Sequence, residues 1–137
     1  MKEKENETSK ALHIGLWVAQ GLLAAAFGMA GLMKLTTPID QLAQKGMSFV
    51  SHYPPEIVRF IGVAEVLAAL GLLLPSILRL LPQLTPLAAT GLSIIMVLAT
   101  QYHIAHNEPT IASILFFILS VFVAWGRFKK APIQPKS

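Results

Sequence analysis

Four stretches of this chain are long and apolar enough to cross a bilayer, and no other feature constrains its fold as much. A helix advances about 1.5 Å per residue, so about 20 apolar residues traverse the hydrocarbon core. The first stretch runs from His13 to Met33 without a charged residue, with Gln20 its one strongly polar interruption. The second runs from Ile57 to Leu74, between the pair Pro54 and Pro55 and the helix-stopping Pro75. The third opens with Thr85 as N-cap and Pro86 at the first helical position and continues to Tyr102. The fourth, from Pro109 to Gly126, is the shortest and suits a small tilt. Hydrophobic residues make up 54% of the chain and charged ones 13%, about half the usual ~25%. That leaves too few polar side chains to clothe a soluble domain.

The segment Ile14 to Met33 exceeds the apolar core of a cleaved signal peptide, and Lys34, Leu35 and Thr36 form no small-residue cleavage site, so a retained span is expected. Four spans put both termini on one side, with the loop between spans two and three. That side carries Lys2, Lys4, Lys10, Arg79, Arg127, Lys129, Lys130 and Lys136; the other has only Lys34, Lys45 and Arg59. The excess of positive residues predicts a multi-pass protein of the cell membrane with both termini cytoplasmic. Residues 1–10 are polar and 131–137 contain Pro132 and Pro135, so both read as disordered tails around a transmembrane domain over 11–130. Within the connection Leu35 to Glu56, Ile39, Leu42, Ala43, Met47 and Val50 fall on one helical face, opposite Asp40, Gln41, Gln44 and Lys45. This predicts an amphipathic helix of about three turns, begun at Pro38, that lies at the outer membrane surface or caps the bundle; capping is the preferred reading, because the polar face carries too little positive charge for strong lipid attraction. The fold class is therefore all-α: an integral membrane four-helix bundle with a short amphipathic helix in the loop between spans one and two.

Composition also excludes chemistry. The chain has no cysteine, so it supplies no disulfide, thiolate zinc site or thiolate-ligated cluster. The net charge of +4 is scattered over tails and loops, without the basic, aromatic-interleaved patch that nucleic acid requires. No nucleophile paired with a base, phosphate-binding glycine loop or HExxH motif is present, which argues against a self-contained hydrolase or nucleotide-driven pump.

Glu65 is the most informative residue. A carboxylate in the middle of a span costs a few kcal/mol and cannot easily snorkel, so it should face the bundle, on the side of the small residues Gly62, Ala68 and Ala69. Desolvation favours a neutral acid that donates a hydrogen bond, unless a cation is within reach. Lys34, at the outer end of span one, is ~13 Å away along the membrane normal if the span ends are level, so a direct pair needs tilt or offset. Ser93 and Gln20 lie nearer the midplane as hydrogen-bonding alternatives, and Arg59 reads as an interfacial side chain with Glu56 beside it. Glu65 either ties helices together or handles a ligand or a proton.

Gln101, His103, His106, Asn107 and Glu108 gather at the outer end of span three. The two histidines give a weak metal or haem signal, because only two nitrogen ligands are in view. A different reading makes Lys34, Glu65 and His103, with Gln101 and Gln20, a polar cluster between the spans that suits a small amphipathic molecule. Gly21 with Ala25, and Ala24 with Gly28, are small-residue pairs for close helix packing, and Trp17, Tyr53, Tyr102 and Trp125 form an aromatic belt near the span ends.

The segments Ala30 to Leu35, Phe60 to Pro75, Leu84 to Ala89 and Ala124 to Phe128, with His103, give the chain a resemblance to the DoxX-like family of small four-span membrane proteins. The resemblance covers Trp17 to Phe128, and the second segment, with its buried glutamate, is the specific one. It implies a four-helix membrane bundle with Lys34, Glu65 and His103 at the family's recurrent polar positions. Its members are functionally mixed, associated with quinone-linked sulfur oxidation, oxidative-stress complexes or receptor-assembly chaperones. Without cysteine here, any thiol exchange would lie in a partner protein. The expected function is a non-catalytic membrane subunit or binding module holding a quinone-like or lipid-like molecule or a membrane or redox partner protein. The alternatives are a subunit of a quinone-linked oxidoreductase, with Glu65 and His103 handling protons, and a purely structural assembly factor. No cofactor ligand set is visible in the sequence, and nucleic acid is not an expected partner.

Overall fold

The structure, a computed structural model, describes residues 2–136, with side chains from Ser9 onward. Five α-helices follow one another: α1 (Lys2–Thr36), α2 (Ile39–Gln44), α3 (Pro55–Leu78), α4 (Leu84–Ala105) and α5 (Ile111–Trp125). A 3₁₀ turn (Ser48–Ser51) precedes α3, and a wider π-helical turn (Gly126–Lys130) extends α5. The helices α1, α3, α4 and α5 are long and apolar enough to span a membrane, over Ser9–Thr36, Pro55–Leu78, Leu84–Ala105 and Ile111–Lys130. They close into a ring in which α1 packs on α3, α3 on α4, α4 on α5, and α5 more lightly back on α1. Ala19, Leu23 and Phe27 of α1 meet Ala69 and Leu72 of α3, Leu92 and Met96 of α4 and Val123 of α5 in the core. The outer face is as apolar as the inner: Ile14, Val18, Leu22, Met29 and Leu32 of α1 are each more than half exposed. Such a surface is stable only against lipid.

Lipid tails provide no hydrophobic drive between helices, so contact depends on close packing and polar bonds. The tightest seam joins α1 and α3. A Cβ added at Gly31 would lie 2.8 Å from the Gly62 carbonyl and 3.0 Å from the Val66 amide nitrogen, both backbone atoms that cannot yield. Of the small pairs expected on α1, Ala24 and Gly28 do face the bundle, Gly28 against Ala69. Gly21 meets nothing and Ala25 is exposed, because a helix with a bundle on one side turns its other faces to lipid.

Four features differ from those expected. The helix α3 does not stop before Pro75 but passes through it to Leu78. Proline lacks the amide that would bond the Gly71 carbonyl four residues back. The Thr85 hydroxyl fills that vacancy, donating to Gly71 O at 2.9 Å. Thr85 is therefore no N-cap; α4 starts at Leu84 and the threonine is fully buried against α3. The cap between α1 and α3 is two short pieces rather than one three-turn helix, because the chain turns at Gly46 with φ +100°. Its apolar residues still do the expected job: Leu42 and Val50 are buried with Val58, against Met33, Ile39, Met47 and Phe49. Finally, α5 does not end at Gly126, and its continuation as a π-helical turn carries Arg127 into the bundle.

The backbone is helical from Lys2, in a run of Lys and Glu that are good helix formers. The end of the chain is irregular but pinned: Arg79 Nε donates to Gln134 O and Lys136 N to Arg79 O, each at 2.8 Å. Met1 and Ser137 lie outside the described residues. The Arg79 bonds put the α3–α4 loop and the end of the chain on one side, and Ser48 bonds Glu108 on the opposite side.

Candidate functional site

Glu65 faces the bundle and is 3% exposed, on the face that carries Gly62 and Ala69. A cation is within reach: Lys34 Nζ lies 2.7 Å from Glu65 Oε1, and Lys34 is also buried. The offset needed for this pair comes from the glycine seam. With Gly31 level with Gly62, Lys34 is one turn toward the capped end on α1 and Glu65 one turn away from it on α3, ~9 Å apart along the axis. The two side chains lean toward each other across that gap. Their contact is close but not aligned as a hydrogen bond, and Oε1 has no other donor. Ser93 and Gln20, the alternative donors, are engaged elsewhere: Ser93 donates to Ala89 O of its own helix, at 2.9 Å.

Above the pair sits an aromatic roof. The Phe49 ring from the cap lies 5.7 Å from Lys34 Nζ, a cation–π contact, and 6.4 Å from the Tyr102 ring of α4. Next to Tyr102, His103 Nδ1 donates to Glu108 Oε1 at 2.8 Å. Glu108 also accepts from the Ser48 hydroxyl, which is 3.0 Å from Tyr102 Oη. Asn107, at φ 56°, provides the left-handed turn that brings Glu108 back to its own helix end. The carboxyl of Glu108 is held below its ordinary range, first by the Ser48 hydrogen bond and then by His103. Arg59, expected to lean on Glu56, instead donates to the carbonyls of Lys34 and Thr37. It caps the negative end of α1 beside the ion pair.

Of the five residues expected to cluster, Lys34, Glu65 and His103 lie in this layer, at the end of the bundle opposite the chain termini, His103 being linked to the pair through Tyr102 and Phe49. Gln101 and Gln20 do not join it. Gln101 is exposed and lines a cleft of about 230 Å³ between α4 and α5 with Thr100 and Phe117. Gln20 is fourteen residues from Lys34, ~21 Å along the helix, and fully buried in a second network near the other membrane face. There Gln20 Nε2 donates to Leu72 O at 2.6 Å, and Gln20 Oε1 accepts from Arg127 Nε at 2.7 Å. In the sequence Arg127 reads only as an orientation signal; the glycine before it, which packs on Leu16, is the one local sign of a buried position. His103 and His106 turn to different partners, His106 stacking on Tyr102 with centroids 4.0 Å apart. Among the described residues no group of three metal-ligating side chains comes together.

The ring of four apolar helices around two separate polar networks defines a small polytopic helical membrane protein. Its sequence fits the model of the DoxX-like family over residues 18–126, and the chain belongs to that family. No curated protein and no solved structure matches it.

Proposed function

We propose that this protein is a non-catalytic binding module of the cell membrane, holding a small quinone-like or lipid-like molecule in its outer polar layer. The observation that supports this reading is the Lys34–Glu65 pair, buried at membrane depth with its ammonium turned toward a roof of Phe49 and Tyr102. Such a group offers what a carbonyl-bearing ring requires: a cationic donor, a carboxylate acceptor and flat apolar faces to stack on. The cap covers the site and is tied through the Ser48 hydroxyl to Tyr102 of α4 and to Glu108 just beyond that helix, so access runs through release of those bonds. The eight positive residues at the end that holds both termini support a cytoplasmic assignment for that end.

Native mass spectrometry of protein extracted in mild detergent tests the binding. Wild type should carry a quinone or uncharged lipid, and Lys34→Met and Phe49→Ala should lose it while remaining helical. A wild-type protein without bound small molecule, or variants that keep it, would overturn the reading. A co-purifying membrane protein lost in the same variants would replace the small molecule by a partner. Since the chain has no cysteine, single replacements report sidedness cleanly. Ser51→Cys should react with an impermeant maleimide on intact cells, and Lys136→Cys only after permeabilisation.

A further inference from the structure

The second polar network leaves a charge unmatched. Arg127 is 3% exposed, and no carboxylate among the described residues pairs with it. Its guanidinium has five N–H donors. Nε donates to Gln20 Oε1, and Nη1 to Ala131 O at 2.8 Å and toward His13 Nδ1 at 2.9 Å. Nη2 is buried with no acceptor among the described residues. Even the His13 bond is contested, because Trp17 Nε1 points at the other ring nitrogen at 3.0 Å and a neutral imidazole has one acceptor nitrogen. Stacking over the Trp17 ring, 5.5 Å away, stabilises the cation but does not neutralise it.

His13 and Ala131, two of the groups bonded by Arg127, also form part of the wall of an open cavity of about 510 Å³. The rest of the lining includes Ser9, Lys10 and Lys130, and Ile14, which is 63% exposed on the lipid side. Lys10 and Lys130 stand at the ends of the first and fourth spans, so the cavity lies at the membrane boundary. It has two ammonium groups at its rim, a hydroxyl, a buried guanidinium behind its wall and an apolar edge open to acyl chains.

We propose that this cavity binds the phosphate group of an anionic phospholipid, with Lys10 and Lys130 as direct contacts and Arg127 supplying field from behind. A basic pocket between helix ends recognises such headgroups by charge, and the exposed apolar edge favours a lipid over free phosphate. This site is independent of the outer layer, which lies at the opposite membrane face.

The test measures lipid retention by native mass spectrometry after exchange into nanodiscs containing phosphatidylcholine with phosphatidylglycerol. Wild type should retain phosphatidylglycerol in preference to phosphatidylcholine. Lys10→Gln/Lys130→Gln leaves the buried Arg127 network intact and should weaken retention about 30-fold, the equivalent of ~2 kcal/mol at about 1 kcal/mol per lysine. Thermal stability in pure phosphatidylcholine, compared between wild type and variant, checks that the fold is unaltered. Inorganic phosphate at millimolar concentration should not displace the lipid; if it does, the site recognises phosphate but its natural ligand is the soluble ion. Equal retention of the two lipids by wild type, or unchanged retention by the variant, would overturn the proposal.

Discussion

Removing Lys34 should destabilise this protein far more than removing Glu65, although the two form one ion pair. At 2.7 Å their gross attraction is about 6 kcal/mol at an effective dielectric of about 20. Desolvation offsets much of this, so the relevant magnitude is the cost of stranding one member, ~3–5 kcal/mol for a buried pair. Lys34→Met strands Glu65 eleven residues into α3, far from either interface, and should approach that full cost. Glu65→Gln strands an ammonium only two residues from the end of α1, and its four-carbon stem can turn it outward, so the loss should be ~1–2 kcal/mol. In Lys34→Met/Glu65→Gln no charge is stranded, and the double variant should be more stable than Lys34→Met alone. The assay is reversible unfolding in mixed micelles with increasing dodecyl sulfate, followed by far-UV circular dichroism and by Trp17 and Trp125 fluorescence. A coupling of at least ~2 kcal/mol is expected. Single losses that add to within ~0.5 kcal/mol would refute the claim that the two charges depend on each other.

Gly31→Ala should cost ~1–3 kcal/mol in the same assay, since its Cβ would press on the backbone of Gly62 and Val66, whereas Gly21→Ala should be neutral because nothing lies within 4 Å. Thr85→Val should cost ~1 kcal/mol in the wild-type background by freeing the Gly71 carbonyl. In a Pro75→Ala background, where the amide at 75 can take that carbonyl, it should cost less; equal costs in both backgrounds would exclude the compensation. Glu108 makes the cap pH-dependent. Its proton affinity is lowered when the cap is docked, so the stabilisation is complete above its ordinary value of 4.5 and is lost as pH falls through the depressed one. Hydrogen exchange of residues 48–51, corrected for intrinsic rates, should show constant protection from pH 7 to about 5 and loss below 4.5. Glu108→Gln should lower protection throughout and remove the acid transition.

The number of spans, the bundle-facing side of Glu65 and the capping role of residues 39–50 were legible because each rests on a one-dimensional pattern. Apolar run length marks a span, and a lone carboxylate in lipid must turn inward. What was not legible depends on relative helix height. Lys34 and Glu65 look too far apart when span ends are assumed level, and only the Gly31–Gly62 contact sets the true offset. The same ignorance put Gln20 beside Glu65, when its partners Leu72 and Ser76 lie two to three turns further along α3. Pro75 misled for a different reason. The rule that proline ends a helix assumes that the freed carbonyl goes unsatisfied, and Thr85, ten residues later, satisfies it across a turn.

The two networks also constrain how the bundle can move. Near the termini, α1, α3, α4 and the extension of α5 are linked side chain to side chain or to backbone: Gln20 joins Arg127 to Leu72, and Ser76 joins Gln20 to Thr85 at 2.7 Å. Gly71 packs there on Ala88, closer than any larger residue would allow. At the opposite end, α1 and α3 are joined by the Lys34–Glu65 pair, and α4 and α5 by Thr100 and Ser113, with 2.8 Å between their hydroxyls. Between those two halves the polar links among the described residues run through the cap, from Ser48 to Tyr102 and Glu108. A bundle fastened across all four helices at one end and by a detachable cap at the other opens at the capped end. That is the end nearest Lys34, which lies two residues from the end of α1, so the motion that costs least is also the one that uncovers its pair with Glu65.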